Sequence, residues 1–310
     1  MLCNLFNNVN VSNKMFMLKD TKLFEVLEEE NSNLESFTKD AQERINESLE
    51  KIKGKKIIIK AFSFQPNLNG YEIILNERKE DLKVGFEKIK NLCEFKLVAS
   101  KEDKKLVNSL KEFNDVIAVK SIEELNSKKL FKKIFGSDED VLIIDIVDVI
   151  RIGQASEGKA IENFVTVYGS AVKEKRVLVL KKEATYKEIF EAVNGGFESL
   201  VKIVDGGSLN GKQVYDINNK ISSESRGILF LSNEDLPSNE VYSCINCSKC
   251  LRVCPEGLNP IKLYDLYKRN EKEEFIKFGG DKCIDCGLCS YVCPSNIEIA
   301  QAIKTAKTFK

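Results

Sequence analysis

The chain has 310 residues, of which 43% are hydrophobic, with 48 basic side chains balanced by 48 acidic ones. That length allows two or three domains with cores of their own. A net charge of zero gives no overall field that would favour nucleic acid or an acidic membrane. The most apolar stretch, Val141–Ile150, is too short to cross a bilayer and contains Asp145 and Asp148.

The N-terminal part of the chain predicts a helix. Leu18–Lys53 has helical character, with Ala41, Ile45 and Leu49 on one face and Gly54 as a stop. We therefore expect residues 1–54 to form a helical N-terminal extension.

From Lys55 onwards, predicted strands alternate with predicted helices. The strands are aliphatic runs, and the helices between them are amphipathic. The predicted strands are Lys56–Ala61, Phe95–Ala99, Asp115–Val119 and Val141–Val147, and the predicted helices are Asp81–Leu92, Lys101–Phe113 and Ile122–Phe135. This alternation predicts an α/β domain over residues 55–160, with a mostly parallel sheet covered on both faces.

The pattern changes after about residue 160 to two strands, a short helix and two further strands. These elements are predicted at Phe164–Tyr168, Arg176–Leu180, Tyr186–Val193, Val201–Val204 and Gly227–Leu231. Their order and size predict a small β-grasp-like domain over residues 161–235. Ser232–Asn239 reads as the linker to the last domain, residues 236–310.

Eight of the ten cysteines lie in two runs with identical spacing near the end of the chain. Each run separates its cysteines by two, two and three residues and closes with proline, which is the bacterial ferredoxin pattern for a 4Fe–4S cluster. The first run is Cys244, Cys247, Cys250 and Cys254 before Pro255, and the second is Cys283, Cys286, Cys289 and Cys293 before Pro294. Two runs predict two clusters.

The ligands of each cluster are expected to come from both runs. Three closely spaced cysteines can hold three corners of a cubane, and in two-cluster ferredoxins the fourth cysteine of each run ligates the other cluster. The predicted sets are Cys244, Cys247, Cys250 and Cys293 for cluster 1, and Cys283, Cys286, Cys289 and Cys254 for cluster 2. We expect an apolar shell around them from Ile245, Leu251, Val253, Ile284, Leu288, Tyr291 and Val292.

Zinc and disulfides are the alternatives for so many cysteines. Zinc sites combine short-spaced cysteine pairs or cysteine with histidine, but this chain has no histidine and four cysteines in each run. Disulfides suit small secreted domains, and we recognise no signal peptide. Cys3 and Cys93 lie alone, and we assign them no role.

The spacer between the runs is long and contains helical patterns. Ile261, Leu263 and Leu266, followed by Phe275 and Phe278, predict one or two helices that end at Gly279–Gly280. This favours the α-helical kind of dicluster ferredoxin found in larger redox complexes.

The chain resembles the C subunit of the Rnf ion-translocating oxidoreductase complex from about residue 55 onwards. The resemblance is clearest in CINCSKCLRVCPEGLNP and CIDCGLCSYVCPSNIEIAQAI, and it continues in SRGILFLSNED, IVDGGSLNGKQV and GKAIENFVTVYGSAV. A cobalamin reductase and an electron-transfer protein linked to proline reductase share this architecture. The resemblance implies other redox subunits as partners.

The resemblance also implies a flavin site at the N-terminal sheet, where relatives carry a glycine-rich phosphate loop. Glycines let backbone N–H groups approach a phosphate closely. Before residue 100 this chain has only the isolated Gly54, Gly70 and Gly85, and Phe62–Pro66 replaces an acidic string of the family. We therefore expect the flavin and NADH site to be absent or degenerate, so that the chain holds neither FMN nor NADH. The turn at Gly206–Gly207 and Gly211 reads as a strand connection.

The sequence thus predicts an electron-transfer protein with two 4Fe–4S clusters and no flavin of its own. A complete flavin-dependent NADH or ferredoxin oxidoreductase and a cluster-stabilised scaffold remain the alternatives. No residue stands out as a catalytic acid, base or nucleophile, so an enzymatic activity of its own is left open. We expect a cytoplasmic location, free or peripheral at the inner face of the cell membrane.

Overall fold

The computed structural model describes residues 24–26, 34–63, 65, 68, 70–101, 103–119, 128–136, 140–180, 183–222, 224–235 and 240–308. Strand β1 covers Phe24–Val26 and helix α1 covers Leu34–Ile52. The predicted helix from Leu18 is therefore wrong at Phe24–Val26, where the backbone pairs with a strand more than 150 residues further along. Within the described residues, no helix is long and apolar enough to span a membrane.

The first sheet contains four parallel strands in the order β4-β3-β2-β5. These are β2 (Lys56–Lys60), β3 (Glu94–Ser100), β4 (Val116–Val119) and β5 (Val141–Asp145). β3 and β4 lie on one side of β2, whereas β5 lies on the other. The predicted parallel sheet is confirmed, although Val147 belongs to the helix after β5.

Helices cover both faces of this sheet. They are α2 (Tyr71–Glu77), α3 (Lys79–Lys90), α4 (Lys104–Leu110), α5 (Lys128–Phe135) and α6 (Ile146–Ser156). Ile57 and Ile59 pack against α2, α3 and α6 on one face. Ile58 and Val98 pack with Phe131 of α5 on the other. The sequence did not predict α2, and residues 122–127 of the predicted Ile122–Phe135 helix lie outside the described part.

Helices α3 and α6 approach each other through two glycines. A Cβ at Gly85 would lie 2.0 Å from the carbonyl oxygen of Val149, and one at Gly153 would lie 1.8 Å from that of Asp81. Only glycine leaves room for this backbone contact.

The second sheet has six strands in the order β1-β7-β6-β10-β8-β9. Its further elements are β6 (Asn163–Tyr168), β7 (Arg176–Leu180), α7 (Tyr186–Ala192), β8 (Lys202–Asp205), β9 (Lys212–Val214) and β10 (Gly227–Leu231). β1 pairs parallel with β7, and β6 pairs parallel with β10. Phe190 of α7 packs on Phe230 of β10 in a core separate from that of the first sheet. β9 was not predicted.

A buried ion pair joins the two sheet regions. Arg78, between α2 and α3, donates to both carboxylate oxygens of Glu162 at 2.6 and 3.1 Å. Gln154 donates to the same carboxylate at 2.8 Å, and the backbone N–H of Glu162 donates back to Gln154 at 3.1 Å. Such a bidentate contact fixes both distance and orientation, so the start of β6 is held against the helices of the first sheet.

The cysteine-rich region, residues 240–308, consists of short helices and loops. The helices are α8 (Lys249–Val253), α9 (Pro260–Lys268), α10 (Lys272–Lys277), α11 (Leu288–Tyr291) and α12 (Ile299–Lys307). The spacer thus forms two helices that end before Gly279, as its apolar pattern predicted. Leu263, Phe275 and Ile303 meet in a core that also contains Cys250, Cys289 and Cys293.

Candidate metal centre

A cavity of about 210 Å³ lies between the two cysteine runs. Cys244, Cys247 and Cys250 of the first run line it together with Cys293 of the second run. Cys250 and Cys293 are each 9% exposed, whereas Cys244 is exposed. The cavity therefore brings together four thiols from distant parts of the chain, as a cluster with four separate iron corners requires.

Backbone contacts hold the first run beside the end of the second. The N–H of Tyr242 donates to the carbonyl of Ser295 at 3.0 Å, and the hydroxyl of Ser295 donates to the carbonyl of Ser243 at 3.0 Å. The side-chain amide of Asn296 donates to the carbonyl of Glu240 at 3.2 Å. The residues before Cys244 and after Cys293 are thereby fastened together.

Of the remaining cysteines, Cys286 packs beside Leu209 of the second sheet region, whereas Cys283 and Cys289 pack in the core of the cysteine-rich region. Cys254 lies close enough to Cys286 to raise the pKa of its thiol, in addition to the larger effect of burial. Lys307 of α12 donates at 2.8 Å both to Asp285 and to the carbonyl of Cys283, which fastens this loop to the last helix.

Burial raises the pKa of the Cys250 and Cys286 thiols, and that of Cys283 to about 11. Without metal these groups are therefore thiols at neutral pH. A ligating thiol must give up its proton, so metal binding here releases protons. Hydrogen bonds from the backbone act against burial: the Leu251 N–H lowers the pKa of Cys250, and the Leu288 N–H lowers that of Cys286.

The loops of both runs use left-handed backbone at equivalent positions. Asn246 and Asp285 have φ near +55°, at 54° and 56°, while Ser248 and Gly287 have φ of 59° and 81°. This conformation turns backbone N–H groups inwards, and the N–H of Asn246 lies 3.4 Å from the sulfur of Cys244. Hydrogen bonds to ligating sulfurs are one means by which proteins set cluster potentials.

The residues of the predicted apolar shell differ in exposure. Val253 and Leu288 are buried and pack with Leu209, and Tyr291 and Val292 lie at the same contact. Ile245 and Leu251 line the 210 Å³ cavity but are 66% and 36% exposed, and Ile284 is 38% exposed. Spacing alone could not show this difference, because the burial of Val253 and Leu288 depends on the contact with Leu209.

Over the part of the chain that is described, no three Cys, His, Asp or Glu side chains converge as ligands of one metal ion do. Cys244, Cys247, Cys250 and Cys293 line the 210 Å³ cavity. A cubane takes one thiolate at each iron corner, so this donor set fits a cluster.

A second cavity, of about 540 Å³, lies between the two sheets. Lys60 and Asp145, the last residues of β2 and β5, are register partners and line it. In open parallel sheets, ligands bind outside the carboxyl ends of the strands where the strand order reverses, and β2 and β5 form such a point. The volume is in the range of small-molecule sites.

The polar groups of this second cavity are largely paired with one another. The Tyr71 hydroxyl donates to Asp145 at 2.7 Å, and Lys60 lies 3.7 Å from the same carboxylate. Across the cavity, Tyr186 donates to Asp205 at 2.6 Å. Burial, followed by the nearby Asp145, raises the pKa of Tyr71 well above its ordinary value. Sequence reasoning did not identify these residues, although Lys60 and Asp145 lie near the ends of two predicted strands.

The segment after β2 is anchored in the second sheet region. Gln65 is 3% exposed, accepts a hydrogen bond from the Leu209 N–H at 2.9 Å and donates to Asn210. Leu68 is 5% exposed and packs directly over Gly227. The described residues of this segment, Ser63, Gln65, Leu68 and Gly70, all line the cavity.

Cys93 lines neither of these two cavities. Cys93 follows α3, is half-buried and donates weakly to the carbonyl of Ile89 at 3.7 Å. Cys3 lies outside the described residues.

The 4Fe-4S dicluster domain family matches residues 243–297, which contain all eight cysteines of the two runs. This assigns 4Fe–4S chemistry to that part of the chain.

Curated relatives are named as the C subunit of ion-translocating complexes. The chain is 31% identical over 144 residues to the C subunit of a proton-translocating ferredoxin:NAD(+) oxidoreductase complex of Clostridium ljungdahlii, covering 44% of this chain and 32% of that protein. It is 32% identical over 143 residues to the C subunit of an ion-translocating oxidoreductase complex of Rhodobacter capsulatus, covering 46% and 28%. For the Na(+)-translocating counterpart of Acetobacterium woodii, identity is 26% over 109 residues, covering 35% and 25%. The aligned residues thus span about a third or less of these relatives.

A solved structure shares the fold over most of the chain. It is a chain of an NAD+-reducing [NiFe]-hydrogenase in the H2-reduced state, with a TM-score of 0.53 and 9% identity, covering 86% of this chain and 56% of that one. At this identity the likeness concerns the fold alone. Together, the dicluster domain and the curated relatives confirm the resemblance of this chain to the C subunit of the Rnf-type ion-translocating oxidoreductase complexes.

Proposed function

We propose that this chain is an iron–sulfur electron-transfer protein that holds two 4Fe–4S clusters and passes electrons between partner oxidoreductases. The observation that carries the proposal is the 210 Å³ cavity lined by Cys244, Cys247, Cys250 and Cys293. Three ligands from one run and the fourth from the other form the set expected for a two-cluster ferredoxin. The closeness of Cys254 to Cys286 supports the complementary set.

The clusters, when bound, would supply one-electron chemistry. The residues of this chain hold the sulfurs in place, exclude water from part of the site and direct backbone N–H groups towards the thiolates. Burial of Cys250, Cys289 and Cys293 at 8 to 9% exposure limits solvent access to those ligands. Burial and hydrogen bonds to sulfur are the main means by which the chain sets the reduction potential.

We infer that the protein acts within a larger redox complex, in the position that the C subunit holds in Rnf-type complexes, and without flavin of its own. The resemblance to that subunit supports the first part. The placement of Gln65 and Leu68 beside the second cavity supports the second part, because it leaves side chains where the family has a phosphate cradle. Peripheral attachment to other subunits at the inner face of a membrane is part of this proposal.

We also infer a division into functional units that follows the three cores. The α/β unit, a β-grasp-like unit formed by the second sheet with α7, and the cysteine-rich unit each have a main hydrophobic core, and Phe164, Val177 and Val179 of the second sheet also join the core of the first. We place the boundaries near residues 55, 161 and 236, although Ile52 of α1 belongs to the core of the first sheet and β1 pairs with β7.

The test of the main proposal is anaerobic reconstitution of the whole chain with iron and sulfide. We expect about eight irons and eight sulfides per chain, as two cubanes require, and an electron paramagnetic resonance spectrum of two interacting clusters after reduction. About four irons per chain would contradict the two-cluster proposal. Zinc in place of iron in the protein purified without oxygen would contradict it altogether.

The second candidate, a flavin-dependent oxidoreductase, is favoured by the 540 Å³ cavity at the switch point of the first sheet. It predicts that the purified protein carries a flavin and that NADH reduces the clusters. Titration with FMN, followed by flavin fluorescence, separates the candidates. Saturable binding with NADH-dependent reduction supports the second candidate, and the absence of binding supports the first.

A further inference from the structure

The two cysteine runs have the same spacing but different residues between the cysteines. Lys249 and Arg252 of the first run occupy the positions that Leu288 and Tyr291 occupy in the second. Lys249 and Arg252 are exposed, whereas Leu288 is buried and Tyr291 is half-buried. At these two positions, the first run therefore presents charged side chains to solvent, whereas the second run presents aromatic and aliphatic side chains to the rest of the protein.

The later part of the second run, from Cys286 to Val292, is covered by the second sheet region, whereas Ile284 is exposed. Leu288 packs with Leu209, and Tyr291 packs against Val204 and Leu229. The contact is close, since a Cβ at Gly287 would lie 2.1 Å from the carbonyl oxygen of Leu209. This side of the cysteine-rich region has little room for another protein.

The first run forms an exposed surface that we call the outer patch. Its apolar members are Val241, Tyr242, Ile245 and Leu251, which are 58%, 57%, 66% and 36% exposed. Lys249, which lines the cavity together with the exposed Cys244, and the exposed Arg252 supply its charge. The hydrogen bonds from Tyr242 to Ser295 and from Asn296 to Glu240 hold this surface in a fixed shape.

We propose that the outer patch is the docking surface for a one-electron carrier protein whose contact face is acidic. Protein interfaces have an apolar centre and a polar rim, and opposite charge on the rims guides two partners together. Lys249 and Arg252 give the patch a positive rim. Glu240 at its edge is engaged by the hydroxyl of Tyr242. The exposed Cys244 brings the cluster of the first run to the surface.

This inference rests on the proposed function, because it requires a cluster at Cys244, Cys247, Cys250 and Cys293. The transfer would move one electron. The reduced carrier would lose it, a cluster held mainly by the first run would gain it, and no bond would be formed or broken. A cluster held mainly by the second run would exchange electrons inside the molecule, since Leu209 packs against Leu288 beside it.

The experiment uses flavodoxin, an acidic one-electron carrier protein, as the probe for the reconstituted chain. Hydrogen–deuterium exchange locates the contact, and titration at low salt gives the Kd. We expect flavodoxin to protect residues 240–252. Lys249→Glu and Arg252→Glu should each weaken binding about tenfold, and salt should weaken binding to the unsubstituted protein.

Lys282→Glu is the matched control. It changes the charge by the same amount next to Cys283 of the second run and should weaken binding less than about twofold. Iron content is measured in every variant, so that loss of the clusters is distinguished from loss of docking.

Three outcomes overturn the inference while leaving the electron-transfer function standing, provided that iron content is normal. They are protection that falls outside residues 240–252, equal weakening by Lys249→Glu and Lys282→Glu, and no saturable binding of flavodoxin at low salt. A reconstituted chain without iron would instead contradict the proposed function itself.

Discussion

The first sheet and the cysteine-rich region differ in what their polar groups contact. At the end of the first sheet, Tyr71 donates to Asp145 and Lys60 lies beside the same carboxylate, so these groups largely satisfy one another. In the cysteine-rich region, the Asn246 N–H points at the sulfur of Cys244, and four thiols surround a cavity. A favourable position in a fold is therefore a weaker indication of chemistry than an unmatched set of donor atoms.

The comparison also predicts separate responses to mutation. Changes in the first sheet should alter stability without altering iron content, and changes among the cysteines should do the reverse. Cys250→Ser and Gly153→Ala test this separation, and two further substitutions test single contacts.

The largest effect is expected for Cys250→Ser. Cys250 is 9% exposed and lines the cavity with three other thiols. Losing one of four ligands should remove that cluster and lower the iron content by about half, with little change in the unfolding of the sheets. Iron analysis and thermal unfolding measure the two effects. Cys93→Ser is the control, and unchanged iron in Cys250→Ser would refute the assignment.

The next effect is expected for Gly153→Ala, in the contact between α3 and α6. The new methyl group would lie 1.8 Å from the Asp81 carbonyl oxygen, so the helices must move apart. The free energy of unfolding should fall by about 3 kcal/mol, with iron content unchanged. Urea unfolding measures this free energy. Ser156→Ala, on the same helix, is the control and should change it by less than about 0.5 kcal/mol. A loss of iron in Gly153→Ala would break the proposed separation.

Gly287→Ala tests the junction between the regions. Gly287 has φ of 81°, and its Cβ would lie 2.1 Å from the Leu209 carbonyl oxygen. The free energy of unfolding should fall by about 2 kcal/mol, because alanine is strained in the left-handed backbone and its methyl group meets the Leu209 carbonyl. Hydrogen exchange of residues 203–211 should rise. The equivalent Ser248→Ala, at φ of 59° on the exposed side, should leave that exchange unchanged, and equal effects would show that the contact is unimportant.

The smallest effect is expected for Tyr71→Phe, and it depends on pH. Burial and Asp145 raise the pKa of Tyr71 in the folded protein, whereas in the unfolded chain the pKa of a tyrosine is about 10. Stability contributed by this difference is complete below about pH 10 and is lost as pH rises further.

Urea unfolding between neutral and alkaline pH measures this effect. Tyr71→Phe should be less stable by about 1 kcal/mol at neutral pH, because the hydrogen bond to Asp145 is lost, and its stability should decline less above about pH 10. Tyr215→Phe, at an 89% exposed phenol, is the control. An alkaline decline as steep as that of the unsubstituted protein would exclude Tyr71 as its source.

Regular elements with strong local patterns could be predicted from the sequence. The aliphatic runs at β2, β5 and β10 and the two helices of the spacer lie where the sequence predicts them. The three-residue strands β1 and β9 could not be predicted from the sequence. β1 depends on its partner β7, which is distant in sequence, and β9 contributes only three residues to its pairing with β8. The role of Gln65 likewise depends on the backbone of Leu209, far along the chain.

The candidate site shows the same division. The cysteine spacing indicated the chemistry, but identical spacing could not show which run faces solvent. The residues between the cysteines indicate which run is exposed, because the first run has Lys249 and Arg252 at the positions where the second has Leu288 and Tyr291. The second cavity was not predicted, because it is formed by side chains from both sheets.

The crossed arrangement of ligands is tested most directly by alkylation of the reconstituted Cys293→Ser variant. Iodoacetamide modifies thiols that hold no iron, and mass spectrometry of peptides identifies them. We predict modification of Cys244, Cys247 and Cys250, with Cys254, Cys283, Cys286 and Cys289 protected by the remaining cluster. Modification of Cys283, Cys286 and Cys289, with the first run protected, would show that each run holds its own cluster and would contradict the account.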